Sequence, residues 1–304
     1  MIPATCKTIL RSLCLLTVIA SMTACKVAED AKAGAAQMTT TAADLSAYYA
    51  TLAQTMKNTI ALEQLQHGLL GVPFEAQDRA QLDDTLHELQ KRSDMAQSLA
   101  RLAASMSTLT SLTVSSDVST AASNLGNELI KIKALPTGSP IPDAVGKASN
   151  ILLQWILQKK EKEAARAMDE TLAALLALYT TEQPAYDSIS RTHIALAAQL
   201  ATVLADREAV DPASLILPAL KPLGLTPLPA NAALRTTLKP LAAEHIQAAA
   251  KDATQQQEAA SAAMLDSLKE MSSRIHLLAT EKPMPMRGAP FSLKVVESWV
   301  AAAI

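Results

Sequence analysis

Long runs in which apolar residues recur every three or four positions dominate this sequence. Alternating steps of three and four place such residues along one side of an α-helix, as in helices that pack lengthwise against each other. The clearest runs are Leu99, Leu102, Met106 and Leu109, and Met264, Leu268, Met271, Ile275 and Leu278. The spacing therefore predicts long helices with partly coiled-coil-like contacts.

The composition favours helices over sheets. The 304 residues are 49% apolar, yet only 3% are aromatic and only 8 are glycine. β-Branched and aromatic residues favour strands, and doubly wound α/β folds need glycine-bearing turns. Both an all-β fold and an α/β fold are therefore disfavoured. We predict an all-α fold, an elongated antiparallel bundle of about four long helices.

The first 24 residues have the three-part layout of a secretory signal. Lys7 and Arg11 form a short positive region, an apolar run follows from Leu13 to Ala20, and small and polar residues continue up to Cys25. The apolar run is too short to cross about 30 Å of hydrocarbon as a helix. We therefore interpret residues 1–24 as a targeting segment that does not belong to the fold.

The four residues Met22-Thr23-Ala24-Cys25 resemble the lipobox of bacterial lipoproteins, in which an aliphatic residue and two small residues precede a cysteine. The resemblance implies cleavage before Cys25, a diacylglyceryl group on its thiol and an acyl group on its new amine. Two or three acyl chains hold a protein stably on a membrane. Enterobacterial relatives with an aspartate after the cysteine stay at the inner membrane. Lys26 stands there instead, which implies an outer-membrane location facing the periplasm. An ordinary secretory signal cut near Ala24 is the alternative.

All three cysteines lie at the start of the chain, at positions 6, 14 and 25. After loss of residues 1–24 no second cysteine remains to pair with Cys25, so we expect neither an internal disulfide nor a thiolate metal cluster. Removal of the two cations Lys7 and Arg11 lowers the formal net charge of −2 by two, to −4. Such a mildly acidic chain is not expected to bind nucleic acid.

Downstream of the signal the chain divides into three parts. Residues 25–41 are small and polar, and we interpret them as a flexible tether. The sequence Thr41–Asp44 has the pattern of a capping box that starts the first helix of the body. A helical bundle domain is expected over 42–280, and a C-terminal tail with a short helix over 281–304.

Glycine and proline mark the ends of the predicted helices. Gly68, Gly71 and Pro73 end the first helix of the bundle. Proline-rich breaks over 136–142 and 212–230 then separate the second, third and fourth helices.

No motif for catalysis or cofactor binding occurs in the sequence. The five histidines, at 67, 87, 193, 245 and 276, contain no i, i+4 pair, and there is no HExxH, GxSxG, P-loop or GxGxxG motif. We interpret the histidines as helix-surface or boundary residues and predict a non-enzyme without cofactor or metal. Met284 and Met286 could bind Cu(I) through their thioethers, but no third soft ligand is near in sequence, so ordinary tail residues are the preferred interpretation.

Two apolar segments each allow two interpretations. Residues 144–157 (AVGKASNILLQWIL) are typical of a buried helix, in which Trp155 is a large core or boundary side chain. In outline they also resemble the membrane-inserting head of α-helical pore-forming toxins. Residues 212–230 form either an ordered loop that covers the end of the bundle or a docking surface for a partner.

These observations lead to one functional hypothesis and two alternatives. We expect a lipid-anchored cell-envelope protein of non-catalytic scaffold, spacer or binding type, with lipid on Cys25 and an unidentified protein partner in the envelope. The first alternative is a membrane-active helical protein that inserts residues 144–157. An enzyme assembled from scattered His, Asp and Glu residues is the other.

Overall fold

The computed structural model describes the backbone of residues 4–107, 116–136, 140–158, 161–212, 232–280 and 294–303, with side chains from residue 34 onward except at some positions near the gaps. Every regular element in these ranges is an α-helix, so the all-α prediction is confirmed for the described part of the chain. In chain order the helices are α1 (Ala4–Leu70), α2 (Ala76–Ser107), α3 (Ser116–Lys131), α4 (Asp143–Gln158), α5 (Glu161–Asp206), α6 (Ala232–Ala279) and α7 (Lys294–Ala303).

The end of α1 follows the glycine pattern of the sequence. Gly71 adopts a left-handed backbone conformation with φ of 69°. Its N–H donates to the carbonyl of Gly68 at 3.3 Å, and the Val72 N–H donates to the carbonyl of His67 at 3.0 Å. This pair of hydrogen bonds is the Schellman motif, which satisfies carbonyls left free at a helix end. The prediction that these glycines end the first helix is confirmed.

The structure describes much of the first predicted break but almost none of the second. Around the first break, residue 136 and residues 140–142 are described and are not helical, and Asp143 opens α4. The break at 212–230 lies almost wholly outside the described residues. Its flanks agree with the prediction, because α5 ends at Asp206 and α6 begins at Ala232.

The start of the bundle differs from the expectation. Residues 34–41 belong to α1, and both Ala35 and Met38 are buried, so this half of the expected tether is a packed helix. The buried positions Ala35, Met38, Ala42, Leu45, Tyr49, Leu52 and Met56 advance by alternating steps of three and four. The packing stripe therefore reaches at least as far as Ala35, upstream of the expected boundary.

The predicted capping box is also wrong, because Thr41 and Asp44 lie in the interior of α1. A cap can act only where backbone N–H groups lack intrahelical partners, and the helix continues upstream of both residues. Thr41 is buried, and Asp44 is partly buried.

Hydrogen bonds between helices define their directions. Ser46 on α1 and Ser93 on α2 each donate a hydroxyl to the other's carbonyl at 3.0 Å. Because only residues 71–75 connect the two helices, this packed pair is antiparallel. Along α5 and α6, Oδ2 of Asp169 lies 2.9 Å from Nδ1 of His276, and the Lys239 ammonium donates to the Asp206 carbonyl at 3.0 Å. Residues later in α5 contact residues earlier in α6, so this long pair is also antiparallel.

The core consists mainly of the predicted apolar stripes. In α6, Met264, Leu268, Met271 and Ile275 are buried as expected, while the side chain of Leu278 lies outside the described residues. By contrast, Leu65 of α1 is 41% exposed.

Candidate functional site

The predicted lipidation site, Cys25, lies within α1. The structure describes its backbone but not its side chain. Nine residues separate Cys25 from Ala35, which already belongs to the buried stripe. The lipidation itself is a covalent event and remains a prediction.

The apolar segment 144–157 forms most of α4 and faces the core. Val145, Ala148, Leu152 and Trp155 are all buried. The hydroxyl of Ser149 on the same face donates to the Gly126 carbonyl of α3 at 3.0 Å. Exposure of this segment to a membrane would require α4 to leave the core. None of the described helices has a stretch long and apolar enough to span a bilayer.

The histidines lie at surface and boundary positions, as predicted. His87, His245 and His276 are exposed, while His67 and His193 are partly buried. Among the described residues no group of three or more His, Cys, Asp or Glu could hold a metal ion. Met284 and Met286 lie outside the described residues.

The chain's four tyrosines meet at one level of the bundle, which the sequence analysis did not foresee. Tyr48 and Tyr49 come from α1, and Tyr179 and Tyr186 come from α5. Ring centroids lie 5.5 Å apart for Tyr49 and Tyr186 and 5.8 Å apart for Tyr48 and Tyr179. Trp299 of α7 adds a fifth ring, 5.1 Å from Tyr48. Such tilted and edge-on aromatic pairs stabilise a core beyond their buried area.

A buried ion pair lies beside these rings. Arg92 of α2 and Glu182 of α5 are both fully buried. The guanidinium donates to both carboxylate oxygens, with Nε 2.7 Å from Oε2. Its remaining hydrogens go to the carbonyl and carboxylate of Glu88 and to the Lys133 carbonyl. All five N–H donors of Arg92 are therefore used, which is what a buried guanidinium needs.

Tyr186 completes the coordination of Glu182. Its hydroxyl donates to Oε2 of Glu182, and it lies 3.4 Å from the hydroxyl of Tyr49. By contrast, the hydroxyl of Tyr48 is buried without a hydrogen-bond partner. The Arg92–Glu182–Tyr186 set, which we call the buried brace, thus connects α2 to α5 and to the chain between α3 and α4.

Burial sets the protonation of this region. Burial alone would lower the pKa of Arg92, but the hydrogen bonds and charge of Glu182 outweigh it and raise that pKa. Burial raises the pKa of Tyr48 to about 12 and is the main cause of the raised pKa values of the other three tyrosines. Near neutral pH the phenols are uncharged and the guanidinium is charged. The charged and hydroxyl groups of the buried brace are therefore all hydrogen-bonded within the protein, as expected of a structural contact.

A signal for the buried brace exists in the sequence. On α2 the buried stripe runs Thr85, Leu89, Arg92, Ala96, Leu99, and on α5 it runs Leu172, Leu175, Tyr179, Glu182, Tyr186, Ile189. Arg92 and Glu182 each stand where the three–four spacing requires an apolar residue. Charged residues at such positions indicate a buried pair, since an unpaired charge would be too costly to bury.

A second feature is an uncharged apolar end of the α1–α2 hairpin, which we call the hairpin tip (residues 64–74). Leu70 is 66% exposed and Val72 is 50% exposed. Helix α5 runs parallel to α1, as the contacts of Tyr49 with Tyr186 and of Thr59 with His193 show. The hairpin tip and the end of α5 therefore lie at the same end of the bundle, far from Cys25.

Comparison of the chain with protein-family models, with curated protein sequences and with solved structures finds no match. Function is therefore inferred from the chain's own residues.

Proposed function

We propose that the protein is a lipid-anchored protein of the bacterial cell envelope, held at the outer membrane and facing the periplasm, with a non-catalytic scaffold, spacer or binding role. The observation that carries this proposal is the lipobox-like sequence Met22–Cys25, which directly follows the charged and apolar parts of a secretory signal. The absence of cysteine after position 25 adds support, because the thiol of Cys25 is then the only one in the mature chain.

The position of the packing stripe supports a spacer role. Residues 26–34 are the only ones between Cys25 and the buried Ala35. Even fully extended, so short a segment spans only about 30 Å. From Ala35 to Leu70, α1 then rises by about 50 Å. The bundle would start close to the bilayer and carry the hairpin tip well away from it.

The helix lengths support an elongated antiparallel bundle. Without residues 1–24, α1 retains 46 residues (25–70), and α2, α5 and α6 contain 32, 46 and 48 residues, while α3, α4 and α7 are shorter. We propose that the four long helices form the rod, with α3 and α4 packed along one side of it.

The hairpin tip supports a binding role. Residues 64–74 contain no Asp, Glu, Lys or Arg. Exposed apolar side chains such as those of Leu70 and Val72 mark interaction sites when they cluster. Glu75, just before α2, and Asp78 and Arg79, in its first turn, are all exposed, so charged residues of both signs flank the apolar residues. A protein partner in the envelope with an apolar depression and a polar surround would fit this end.

Intact-mass analysis tests the anchor. We expect full-length protein, expressed in a bacterium and extracted from membranes, to lack residues 1–24 and to carry the added mass of a diacylglyceryl and an acyl group. Cys25→Ser should remove the added mass and release the protein from membranes. The matched control Cys14→Ser changes a cysteine inside the signal and should leave both unchanged. Wild-type protein without fatty acid would contradict the proposal.

A further inference from the structure

A pocket of about 240 Å³ lies where α1, α5, α6 and α7 meet. It is next to the tyrosine rings but separate from them, with Trp299 as the shared wall. Its lining includes Asn58, Ser190, His193, Ala253, Gln256 and Trp299. The pocket is smaller than sites for drug-sized ligands, so it suits a compact molecule.

One wall of the pocket holds a buried hydroxyl without a partner. Ser190 is almost fully buried, and its Oγ makes no hydrogen bond. Hydroxyls elsewhere on these helices donate to the carbonyl four residues earlier, as Thr59 does to Thr55 and Thr202 to Ala198. A buried polar group without a partner costs free energy that a bound hydrogen-bonding ligand can recover.

The hydrogen bonds of His193 fix which ring nitrogen is available. Nδ1 of His193 lies 3.0 Å from Oγ1 of Thr59. That hydroxyl already donates its hydrogen to the Thr55 carbonyl at 2.9 Å, so it must accept from Nδ1–H. Because burial lowers the pKa of His193, the ring is neutral near pH 7. Its Nε2 then carries a lone pair and can accept a hydrogen bond.

The remaining lining supplies no charge. None of the described residues that line the pocket is Asp, Glu, Lys or Arg. A carboxylate, phosphate or ammonium ligand would therefore lose its hydration without an opposite charge to replace it. Trp299, Ile194 and Ala253 provide apolar surface instead.

We propose that this pocket binds a small uncharged ring compound that carries at least one hydroxyl group. The ring packs against Trp299, a ligand hydroxyl donates to Nε2 of His193, and Ser190 exchanges a hydrogen bond with the same or a second hydroxyl. A cyclic alcohol and a monosaccharide share this chemistry, and they differ in how much apolar surface they offer.

Titration with two probes, cyclohexanol and methyl β-glucopyranoside, tests the proposal on the mature protein in detergent. We expect a saturable change in tryptophan fluorescence, since Trp299 lines the pocket, with a Kd of about 1 mM because so small a ligand makes few contacts. Saturation-transfer NMR of the probe provides a second readout. Binding of cyclohexanol alone indicates an apolar ring alcohol, and binding of the glucoside alone indicates a sugar.

Three comparisons make the result specific. Ala253→Leu fills the pocket and should weaken binding about tenfold or more, whereas Ser188→Ala, which lines a different groove of α5, should leave it unchanged. Cyclohexanecarboxylate should bind at least about tenfold more weakly than cyclohexanol, because the pocket holds no cation. If neither probe binds the folded wild-type protein, if Ala253→Leu binds as well as wild type, or if the carboxylate binds equally, the proposal is wrong.

Discussion

At the scale of single residues, the buried brace shows how a helical core accommodates charge. Arg92 and Glu182 lose their hydration on folding, and only complete hydrogen bonding offsets that loss. Each of the five guanidinium hydrogens has an acceptor within the protein. Removal of one partner leaves the other as an unpaired buried charge.

Substitution of Arg92 should therefore be costly. We expect Arg92→Met to lower the free energy of unfolding by about 3 to 5 kcal/mol, because Glu182 would remain buried without its cation. The matched control is Lys131→Met, which breaks an exposed ion pair with Glu128 of 2.8 Å and should cost less than about 1 kcal/mol. Urea unfolding followed by circular dichroism measures both. Equal losses would contradict a special role for the buried pair.

The tyrosine hydroxyls provide a second matched pair. Tyr186→Phe removes the hydrogen bond to the buried Glu182 and should destabilise the protein by about 1 to 3 kcal/mol. Tyr48→Phe removes a buried hydroxyl that has no partner, so it should be neutral or slightly stabilising. Thermal unfolding of the two variants measures the difference, and a larger loss from Tyr48→Phe would contradict the structure.

Asp44 should make stability depend on pH. Burial, together with the nearby charge of Glu297, raises the pKa of Asp44 to about 6. Since the folded-state pKa exceeds the unfolded value of about 4, the folded state holds this proton more tightly, and stability falls as the pH rises between these values. Asp44→Asn should remove the loss and stabilise the protein at pH 7 by about 1 kcal/mol, allowing for solvent screening.

Unfolding of Asp44→Asn and wild type at pH 3.5 and pH 7 measures this effect. The exposed Asp84 provides the control, and Asp84→Asn should show the wild-type pH dependence. A pH dependence for Asp44→Asn that equals that of wild type would show that Asp44 is not the group responsible.

At the scale of elements, the ends of helices follow local chemistry and their faces follow packing. The Schellman motif at Gly71 needs only residues 67–72. The face of α4 that turns inward depends on α3, through Ser149 and the close approach of Leu153 to Gly126. A helix end is therefore readable locally, while a buried face depends on its neighbours.

Two glycines at the end of α1 should respond in opposite directions. Gly68 is helical, and an added Cβ would meet nothing within 4 Å, so Gly68→Ala should stabilise the protein by about 0.4 to 1 kcal/mol. Gly71 has a φ of 69°, which costs other residues about 1 to 2 kcal/mol, so Gly71→Ala should destabilise it. Chemical unfolding of both variants gives the two signs, and equal signs would contradict the described helix end.

At the scale of the whole molecule, long helices determine the shape. Helix α6 alone, with 48 residues, is about 70 Å long. Its antiparallel contacts with α5 continue from Asp169 to Asp206, so the two helices lie side by side over most of their length. Lipid on Cys25 would attach such a body at one end.

Small-angle X-ray scattering on the mature protein should show this elongation. A compact domain of about 280 residues has a radius of gyration of about 19 Å, and we expect a clearly larger value with a maximum dimension above about 70 Å. The measurement requires monomeric protein, verified by light scattering. A radius of gyration at the compact value would exclude the rod.

The sequence alone determined the helical class and the glycine-encoded end of α1, because periodic spacing and turn residues act within a few positions along the chain. It also carries the lipobox-like sequence, a local feature that an enzyme would read without the fold. The tertiary structure decided that packing extends upstream of residue 42. The burial of Ala35 and Met38 needs neighbouring helices, whereas the small and polar composition of this segment predicts a tether. It also decided the buried brace and the pocket at Ser190. Those residues come from helices far apart in sequence, and only packing brings them together.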